Sequence, residues 1–268
     1  MRLWRTLFYT VCGVILAFLV APLFVAIPLS FSNVSYLQLP PEQWSWRWYQ
    51  ELLSGRQWTG PIVTSIKVAA VCAVISMVLG TLTALGLDRS SWKGKDLLLG
   101  LVMSPLIVPA IIISVAMYGM FARTGLVGNM LGLAIAHSVI ATPLVFINVS
   151  AALQSFNHNL DQAAWSLGAN PLRAFFYVKL PLISPGVAAG GALAFATSLD
   201  EVVLSLFLSG VRSRTLPMQL WDSIRTEITP IIGAVAVLLM LTYAVLFSLV
   251  EGIQWWQNRK QQDTTLPG

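Results

Sequence analysis

Residues 159–186 read NLDQAAWSLGANPLRAFFYVKLPLISPG. This segment is the one long polar interruption between apolar runs of membrane length, and it carries helix-start and helix-stop signals of its own. Residues 161–167 predict a short helix in which two alanines leave one face nearly bare. Gly168 then supplies the residue that can end this helix in a left-handed turn.

A second helix is predicted directly after this glycine. Asn170 is a typical N-cap residue, and Pro171 stands at the first helical position, where an N–H group has no partner within the helix. We expect this helix to run to about Leu180, before Pro181. The two short helices form a compact, stiff unit, and a passive loop would not need such signals.

The pattern resembles the EAA loop of the binding-protein-dependent permeases of ATP-binding cassette (ABC) importers, in which an acidic-Ala-Ala segment precedes a glycine and a later Leu-Pro pair. The matching positions are Gln162, Ala163, Ala164, Gly168, Leu180 and Pro181. A glutamate is usual where Gln162 stands, so an ion pair to an ATPase subunit is reduced to a neutral hydrogen bond, unless Asp161 supplies the charge. The resemblance implies a cytoplasmic coupling loop at 157–182 that includes Pro171. The alternative is an amphipathic connector with turn residues.

The same resemblance implies the fold and the partners. It implies an all-α membrane protein with six transmembrane helices in the type I ABC importer permease fold. Two ATP-binding subunits, a second homologous permease in a heterodimer and a periplasmic solute-binding protein complete such a machine in the bacterial inner membrane. The chain is not predicted to be an enzyme, because Gly94-Lys95 lacks both the glycine spacing and the hydroxyl residue of an ATP-binding loop. No cofactor is expected on it directly, since ATP and Mg²⁺ belong to the partners.

Composition independently indicates a protein of the lipid bilayer. Of 268 residues, 56% are hydrophobic and only 10% are charged, whereas charged residues make up about a quarter of soluble domains. The net charge of +5 is compatible with nucleic acid, but the basic residues lie in the gaps between apolar runs, so membrane topology explains them better. Cys12, Cys72, His137 and His158 are isolated, and neither a metal site nor a disulfide framework is predicted.

Six apolar runs have spanning length, since about 20 residues cross the hydrocarbon layer as a helix. They lie near 7–31, 62–87, 97–121, 129–153, 183–208 and 230–256. The first is longer than the apolar core of a secretory signal and is interpreted as a retained anchor. The chain is predicted to be a single transmembrane permease domain, 1–268.

Two segments differ from simple transmembrane helices: one lies between spans and is rich in tryptophan, and the other is a span with internal prolines. Residues 32–60 are rich in tryptophan, which favours the membrane surface, and 41–53 predicts a short interfacial helix. This segment either receives a solute-binding protein or simply anchors the chain. In the third span, Pro105 and Pro109 break backbone hydrogen bonds and predict a kink or an interruption, either along a transport path or for packing alone.

The distribution of basic residues modestly favours both termini in the cytoplasm. With that orientation nine basic residues lie inside: Arg2, Arg5, Arg89, Lys93, Lys95, Arg173, Lys179, Arg259 and Lys260. Six lie outside: Arg47, Arg56, Arg123, Arg212, Arg214 and Arg225. The coupling loop then faces the compartment that holds ATP.

Carboxylates near the outer end of the fifth span are candidates for the substrate path. Asp200 lies about 26 Å along the helix from Ile183, and ionisable groups at such depth are functional hypotheses by default. Adjacent helical residues point about 100° apart, so at most one of Asp200 and Glu201 faces the path. Ser198 and Asn148 are further candidates. The alternative is that these carboxylates pair with arginines of the following loop.

Residues 198–203, SLDEVV, with Phe207, Gly210 and 215–217, TLP, resemble the fifth-span signature of polyamine-type permeases. This resemblance implies spermidine, putrescine or a related organic cation as cargo, which carboxylates would suit. Other cargoes for the same machine are an amino acid derivative, an opine-like or phosphonate compound and ferric ion. A different class is an ion-coupled secondary transporter with His137 and both carboxylates as a proton relay, and an intramembrane enzyme comes last.

Overall fold

The computed structural model describes residues 2–88 and 90–264, with side chains from Trp4 to Trp255. The helices in these ranges are α1 (Arg2–Ser30), α2 (Arg47–Ser54), α3 (Arg56–Leu87), α4 (Lys95–Ile107), α5 (Ala110–Thr124), α6 (Met130–Gln154), α7 (Asn159–Ser166), α8 (Pro171–Ala174), α9 (Leu180–Asp200), α10 (Val203–Leu208), α11 (Leu216–Thr226) and α12 (Ile231–Thr264). A π-helical turn, Phe175–Lys179, joins α8 to α9. The one extended pairing in these ranges is an isolated antiparallel bridge between Ser32 and Trp44.

Five helical segments are long and apolar enough to cross a membrane, and the bent pair of α4 and α5 makes a sixth if it counts as one span. The five segments are Trp4–Ser30, Arg56–Leu87, Met130–Gln154, Pro171–Asp200 and Ile231–Trp255. The described residues divide into two compact units. Unit 1 contains the residues up to Gly60 together with Gln219–Ala244, and unit 2 contains Pro61–Met218 and the residues from Val245 onward.

The third predicted span, 97–121, is two helices in the structure. α4 and α5 are bent by 107° at a break that contains Val108 and Pro109. Val108 adopts an extended conformation, with φ −73° and ψ 128°, because a proline ring disfavours the helical conformation of the residue before it. Pro105 stays inside α4 and does not end it.

The fifth predicted span, 183–208, has both of its ends in the wrong place. Helical structure runs without a gap from Pro171 to Asp200, so the expected stop before Pro181 does not occur. The π-helical turn ends two residues before this proline, and such a local change of hydrogen-bond register accommodates a proline in a continuous helix. At the other end, α9 stops at Asp200 and the chain resumes helical structure only at Val203, as α10.

Unit 2 is held together by close approaches at glycine. A Cβ atom placed on Gly80 of α3 would lie 2.7 Å from the Cβ of Val145, and one on Gly190 of α9 would lie 2.8 Å from the Cα of Val145. α3 and α9 therefore both approach α6 at the same residue. Small residues permit such contacts between helices in a bilayer, where packing and not water exclusion drives association.

A second apolar cluster of unit 2 lies where α10 packs on α5 and α6. Leu204 and Leu208 of α10 are fully buried together with Phe121 of α5 and Leu133 of α6. The N–H of Gly128, in the loop between α5 and α6, donates to the carbonyl of Leu208 at 2.8 Å. The short helix after the break is thus fixed by both packing and backbone hydrogen bonding.

Unit 1 contains the tryptophan-rich segment. The predicted interfacial helix 41–53 is shorter in the structure, where it is α2. Its apolar side chains Trp48 and Leu52 are buried, and Phe31 packs against Tyr49 with ring centroids 5.1 Å apart. Trp48 and Leu52 are therefore covered by protein and not available to lipid, whereas Leu53 of the same helix is 64% exposed.

Candidate functional site

The loop between α6 and α9 begins with α7, which ends in a Schellman motif. The N–H of Gly168 donates to the carbonyl of Trp165 at 2.9 Å, and the N–H of Ala169 donates to the carbonyl of Ala164 at 3.0 Å. Gly168 has a φ of +87°, which confirms the left-handed turn that the sequence predicts. A Cβ atom there would meet nothing within 4 Å, so backbone conformation and not space requires the glycine.

The second helix of the loop also begins as the sequence predicts. The side chain of Asn170 accepts a hydrogen bond from the N–H of Arg173 at 2.8 Å, and Pro171 lies in the first turn. Only residues 167–170 separate this helix from α7. The loop therefore presents two capped helices joined by one short turn.

Asp161 points into the protein and not outward. Its side chain is only 11% exposed, and its Oδ2 atom lies 2.8 Å from the Nζ atom of Lys179 at the end of the π-helical turn. The ammonium group of Lys179 also lies 5.3 Å from the ring centroid of Phe156. Lys179 thus engages this carboxylate within the loop itself.

His158 connects the loop to the end of α3. Its Nδ1 atom lies 3.8 Å from the carboxylate of Asp161, and its Nε2 atom lies 3.7 Å from the carboxylate of Asp88. These distances are longer than hydrogen bonds, so the imidazole lies between the two carboxylates without a hydrogen bond to either. Together with Lys179, the imidazole places α7 in contact with both α3 and the start of α9.

The other face of the loop is exposed and partly apolar. Gln162 and Ala163 are exposed, while Ala164 is buried. Leu167 is 89% exposed and Leu172 is 69% exposed. These two leucines add exposed apolar area to the loop.

The remaining residues of the predicted loop pattern lie where the second helix enters the span. Pro171 and Pro181 are exposed, and Leu180 is half-buried. A cavity of about 260 Å³ lies beside Pro171, and it is bordered by Leu85, Asp161, Trp165, Pro171, Ala174, Phe175 and Lys179. The ion pair between Asp161 and Lys179 therefore has space for water on one side.

Two neighbouring residues of the predicted path, Asp200 and Glu201, lie at the break after α9 in different environments. Glu201 is half-buried, and its Oε1 atom accepts hydrogen bonds from the N–H groups of Val203 and Leu204 at 2.8 and 3.0 Å. This carboxylate caps the first turn of α10 and offsets the partial positive charge there. Asp200 is exposed at the last position of α9.

Ser198 lies one turn before the break and is buried. Its hydroxyl is 2.8 Å from the Nδ1 atom of His137 on α6. The Nε2 atom of the same ring lies 3.4 Å from the hydroxyl of Ser205 on α10. One imidazole thus contacts both helices of the broken span.

Asn148 does not join this group. Its side-chain amide donates to the carbonyl of Leu144 in the same helix at 2.8 Å, and its own carbonyl would lie 2.8 Å from a Cβ on Gly186. Gly186 precedes Asp200 by 14 residues in the sequence, which is about 21 Å of helix. Asn148 therefore lies far along the span from the break.

Among the side chains that the structure describes, no group of three His, Cys, Asp or Glu residues lies close enough together to hold a metal ion. Cys12 and Cys72 are free thiols. Cys72 is buried, with its sulfur 3.9 Å from the hydroxyl of Ser76.

Comparison with known families identifies the chain. Residues 76–263 match the model of the binding-protein-dependent transport system inner membrane component. The chain belongs to this family. It is a multi-pass permease subunit of the inner membrane, and such permeases work with a periplasmic binding protein and ATPase subunits.

Relatives of this permease share about a third of its residues. The putrescine transport system permease protein PotI of Escherichia coli K12 is 34% identical over 230 residues, which is 83% of this chain and 82% of the relative. The spermidine/putrescine transport system permease protein PotC of Haemophilus influenzae is 30% identical over 88% of this chain and 93% of its own. The molybdenum transport system permease protein ModB of Haemophilus influenzae is 31% identical over 74% and 93%.

Solved structures give the same fold for the permease. A bacterial ABC transporter involved in the import of alginate matches with a TM-score of 0.74 at 16% identity, covering 94% of this chain and 96% of that one. The MetNI methionine ABC transporter matches with a TM-score of 0.59 at 18% identity, covering 74% of this chain and 96% of that one. The fold is that of type I ABC importer permeases, all-α as the sequence predicts.

Sequence reasoning about this permease missed three features. It treated His137 as isolated or as part of a proton relay and did not find its hydroxyl partners on two other helices. It offered Asp161 as a source of the charge missing at Gln162, because nothing local indicates that Lys179 reaches back to Asp161. It also overlooked the exposed Leu167 and Leu172, although two leucines beside a helix-ending glycine and a helix-starting proline are an available signal.

Proposed function

We propose that this permease imports a small organic cation of the polyamine class, delivered by an extracytoplasmic binding protein and driven by ATP hydrolysis on two partner subunits. It acts as one transmembrane domain beside a second, homologous permease in a heterodimer. Both termini lie in the cytoplasm, in line with the excess of basic residues on that side. The single observation that carries the cargo class is the exposed carboxylate of Asp200 at the carbonyl end of a broken membrane helix.

Electrostatics at the break favour a cation. The end of α9 carries a partial negative charge of about half an elementary unit from its unpaired carbonyl groups, and Asp200 adds a full negative charge at that end. The start of α10 has the opposite partial charge, but Glu201 accepts its N–H groups and offsets it. Broken helices of transporters use their carbonyl ends for cations, and the names of the two polyamine relatives agree with this assignment.

The path residues then have separate roles. Asp200 meets the ammonium group of the cargo. Glu201 shapes the break by capping α10, and Ser198 supports it from α9 through His137. Asn148 lines the path at a different depth, beside Gly186, and its amide is bonded within α6.

We infer that the exposed face of the 157–182 loop binds an ATPase subunit. Gln162 and Ala163 lie on this face, and Leu167 supplies apolar area. Gly168 and the capped second helix give the loop a fixed shape, so it transmits displacement without bending. Gln162 contributes a neutral hydrogen bond in place of the usual ion pair.

Two sets of contacts transmit a displacement of the loop to the membrane helices. Asp161 transmits it to the start of α9 through Lys179, and His158 transmits it to the end of α3 through Asp88. Both helices pack on Val145 of α6. Closure of the ATPase pair on ATP and Mg²⁺ then moves three spans as a rigid body and alternates access to the path.

Transport by the assembled complex tests this proposal. The permease is expressed with its ATPase, its second permease and its binding protein, and the complex is reconstituted in liposomes. We expect uptake of labelled putrescine that requires ATP, is abolished by a hydrolysis-deficient ATPase and is inhibited by excess spermidine. Uptake driven by an ion gradient without ATP would contradict the mechanism.

The molybdenum-named relative makes an oxyanion the second cargo to examine. Molybdate carries negative charge and would be repelled by Asp200. Excess molybdate is therefore expected to leave putrescine uptake unchanged. Uptake of labelled molybdate by the complex, with no uptake of putrescine, would overturn the proposed cargo class.

A further inference from the structure

His137 lies at the centre of a hydrogen-bonded chain that crosses the broken span. The residue is fully buried in α6. Its Nδ1 atom is 2.8 Å from the hydroxyl of Ser198 on α9, and its Nε2 atom is 3.4 Å from the hydroxyl of Ser205 on α10. The backbone leaves helical geometry between these two serines, at Glu201.

The direction of each hydrogen bond follows from the donors available. The Ser205 hydroxyl lies closer to the backbone carbonyl of Glu201, at 2.9 Å, than to the Nε2 atom of His137, at 3.4 Å. Because a carbonyl can only accept, the hydroxyl donates its proton to this carbonyl. A hydroxyl has one proton, so Ser205 must accept from the Nε2–H of His137. In the neutral ring the Nδ1 atom is then an acceptor, and it receives the proton of the Ser198 hydroxyl.

We propose that His137 is a positioning residue that fixes the geometry of the break and thereby the position of Asp200. It holds the end of α9 through Ser198 and the start of α10 through Ser205, while Ser205 holds the carbonyl of Glu201. The side chain does not meet the cargo. This inference rests on the proposed function, since Asp200 matters here as the cation-binding group.

The same series of hydrogen bonds argues against a proton relay through His137. Both ring nitrogens are engaged by hydroxyl groups, and the ring reaches Glu201 only through Ser205 and its backbone carbonyl, not through the carboxylate. The carboxylate of Glu201 is directed to backbone N–H groups of α10. His137 therefore acts through geometry and hydrogen bonding in one fixed tautomer.

Replacing His137 with asparagine or glutamine tests its hydrogen bonds to Ser198 and to Ser205 separately. Glutamine places its NH₂ group near the position of Nε2 and can still donate to Ser205. Asparagine is shorter and reaches only toward Ser198. We expect His137→Asn to raise the KM for putrescine uptake by about tenfold, the change in an equilibrium constant that one buried hydrogen bond accounts for. His137→Gln should stay within about threefold of wild type, since it keeps that bond, and the maximal rate should change little in both.

Ser205→Ala provides a milder test of the same bond, in case the histidine variants assemble poorly. It removes the acceptor, together with the hydrogen bond to the Glu201 carbonyl, and should raise KM at least as much as His137→Asn does; the double variant should be no worse than Ser205→Ala alone. Ser138→Ala is the matched control. Ser138 is also buried in α6, but its hydroxyl donates to the carbonyl of Ile135 in its own helix, so we expect no change in KM.

A second measurement does not depend on the cargo. Hydrogen–deuterium exchange of the backbone amides in α10 should become faster in His137→Asn and Ser205→Ala, and should stay near the wild-type rate in His137→Gln and Ser138→Ala. Equal exchange in all four variants, or equal KM in His137→Asn and His137→Gln, would overturn the inference. If the wild-type complex takes up no putrescine, the proposed function fails instead, and the exchange rates alone then decide whether His137 holds the break.

Discussion

Loss of the ion pair between Asp161 and Lys179 should separate ATP hydrolysis from transport. The two side chains are 11% and 18% exposed and their charged atoms are 2.8 Å apart. A fully exposed pair contributes less than about 1 kcal/mol, and removing one partner of a fully buried pair costs about 3–5 kcal/mol. Because a cavity borders this pair on one side, we expect an intermediate value of about 2 kcal/mol, which is a factor of about 30 in an equilibrium constant.

The assay is ATP-driven putrescine uptake per ATP hydrolysed in liposomes. Asp161→Asn and Lys179→Gln should each lower this ratio by roughly 10- to 30-fold while ATP hydrolysis continues, because the exposed face of the loop, which we propose binds the ATPase, is untouched. The double variant should be no worse than either single variant, since both remove the same interaction. Asp96→Asn is the control, because Asp96 is exposed in the first turn of α4. If the losses of the single variants multiply in the double variant, the two residues act independently and the proposed route of force is wrong.

Three further substitutions test other parts of the structure. Gly168→Val should lower uptake several-fold more than Gly168→Asn, because a left-handed φ costs a β-branched residue about 1–2 kcal/mol and asparagine less; equal effects in the uptake assay would show that the turn is not required. Asp200→Asn should raise the KM for putrescine at least tenfold while Asp200→Glu keeps part of the affinity, and an unchanged KM in Asp200→Asn would remove this residue from the path. Gly190→Leu should lower the melting temperature of the detergent-solubilised complex, because the side chain would meet Val145, whereas Gly119→Leu, at a position with no neighbouring atom within 4 Å, should leave it unchanged.

Local signals in the sequence were sufficient to predict where α7 ends and where α8 begins. Gly168 and Asn170 act within a few residues of their own position, through a left-handed φ and a side-chain cap. The break at Val108 was also accessible, because Pro109 acts on its neighbour. These features depend on backbone chemistry that a short window of sequence contains.

The break after Asp200 and the ion pair between Asp161 and Lys179 could not be predicted from a short window of sequence. No proline or glycine follows Asp200 directly, and residues 202–208 continue as an apolar run, so one uninterrupted span was the simpler interpretation. The helix ends there because Glu201 caps a new helix that packs against α5 and α6, which is a tertiary effect. Likewise, Lys179 follows Asp161 by 18 residues, and only the folded loop brings the two together.

The length of α9 has a mechanical consequence. Its 21 residues form a rod of about 30 Å, with Lys179 just before one end and Asp200 at the other. A tilt of only about 5° at the end near Lys179 would carry Asp200 sideways by about 2.6 Å over that length. This distance is comparable to the radius of an ammonium group with its contacts. A slight rotation of α9 would therefore be enough to bring the carboxylate of Asp200 into contact with a cation or to separate the two.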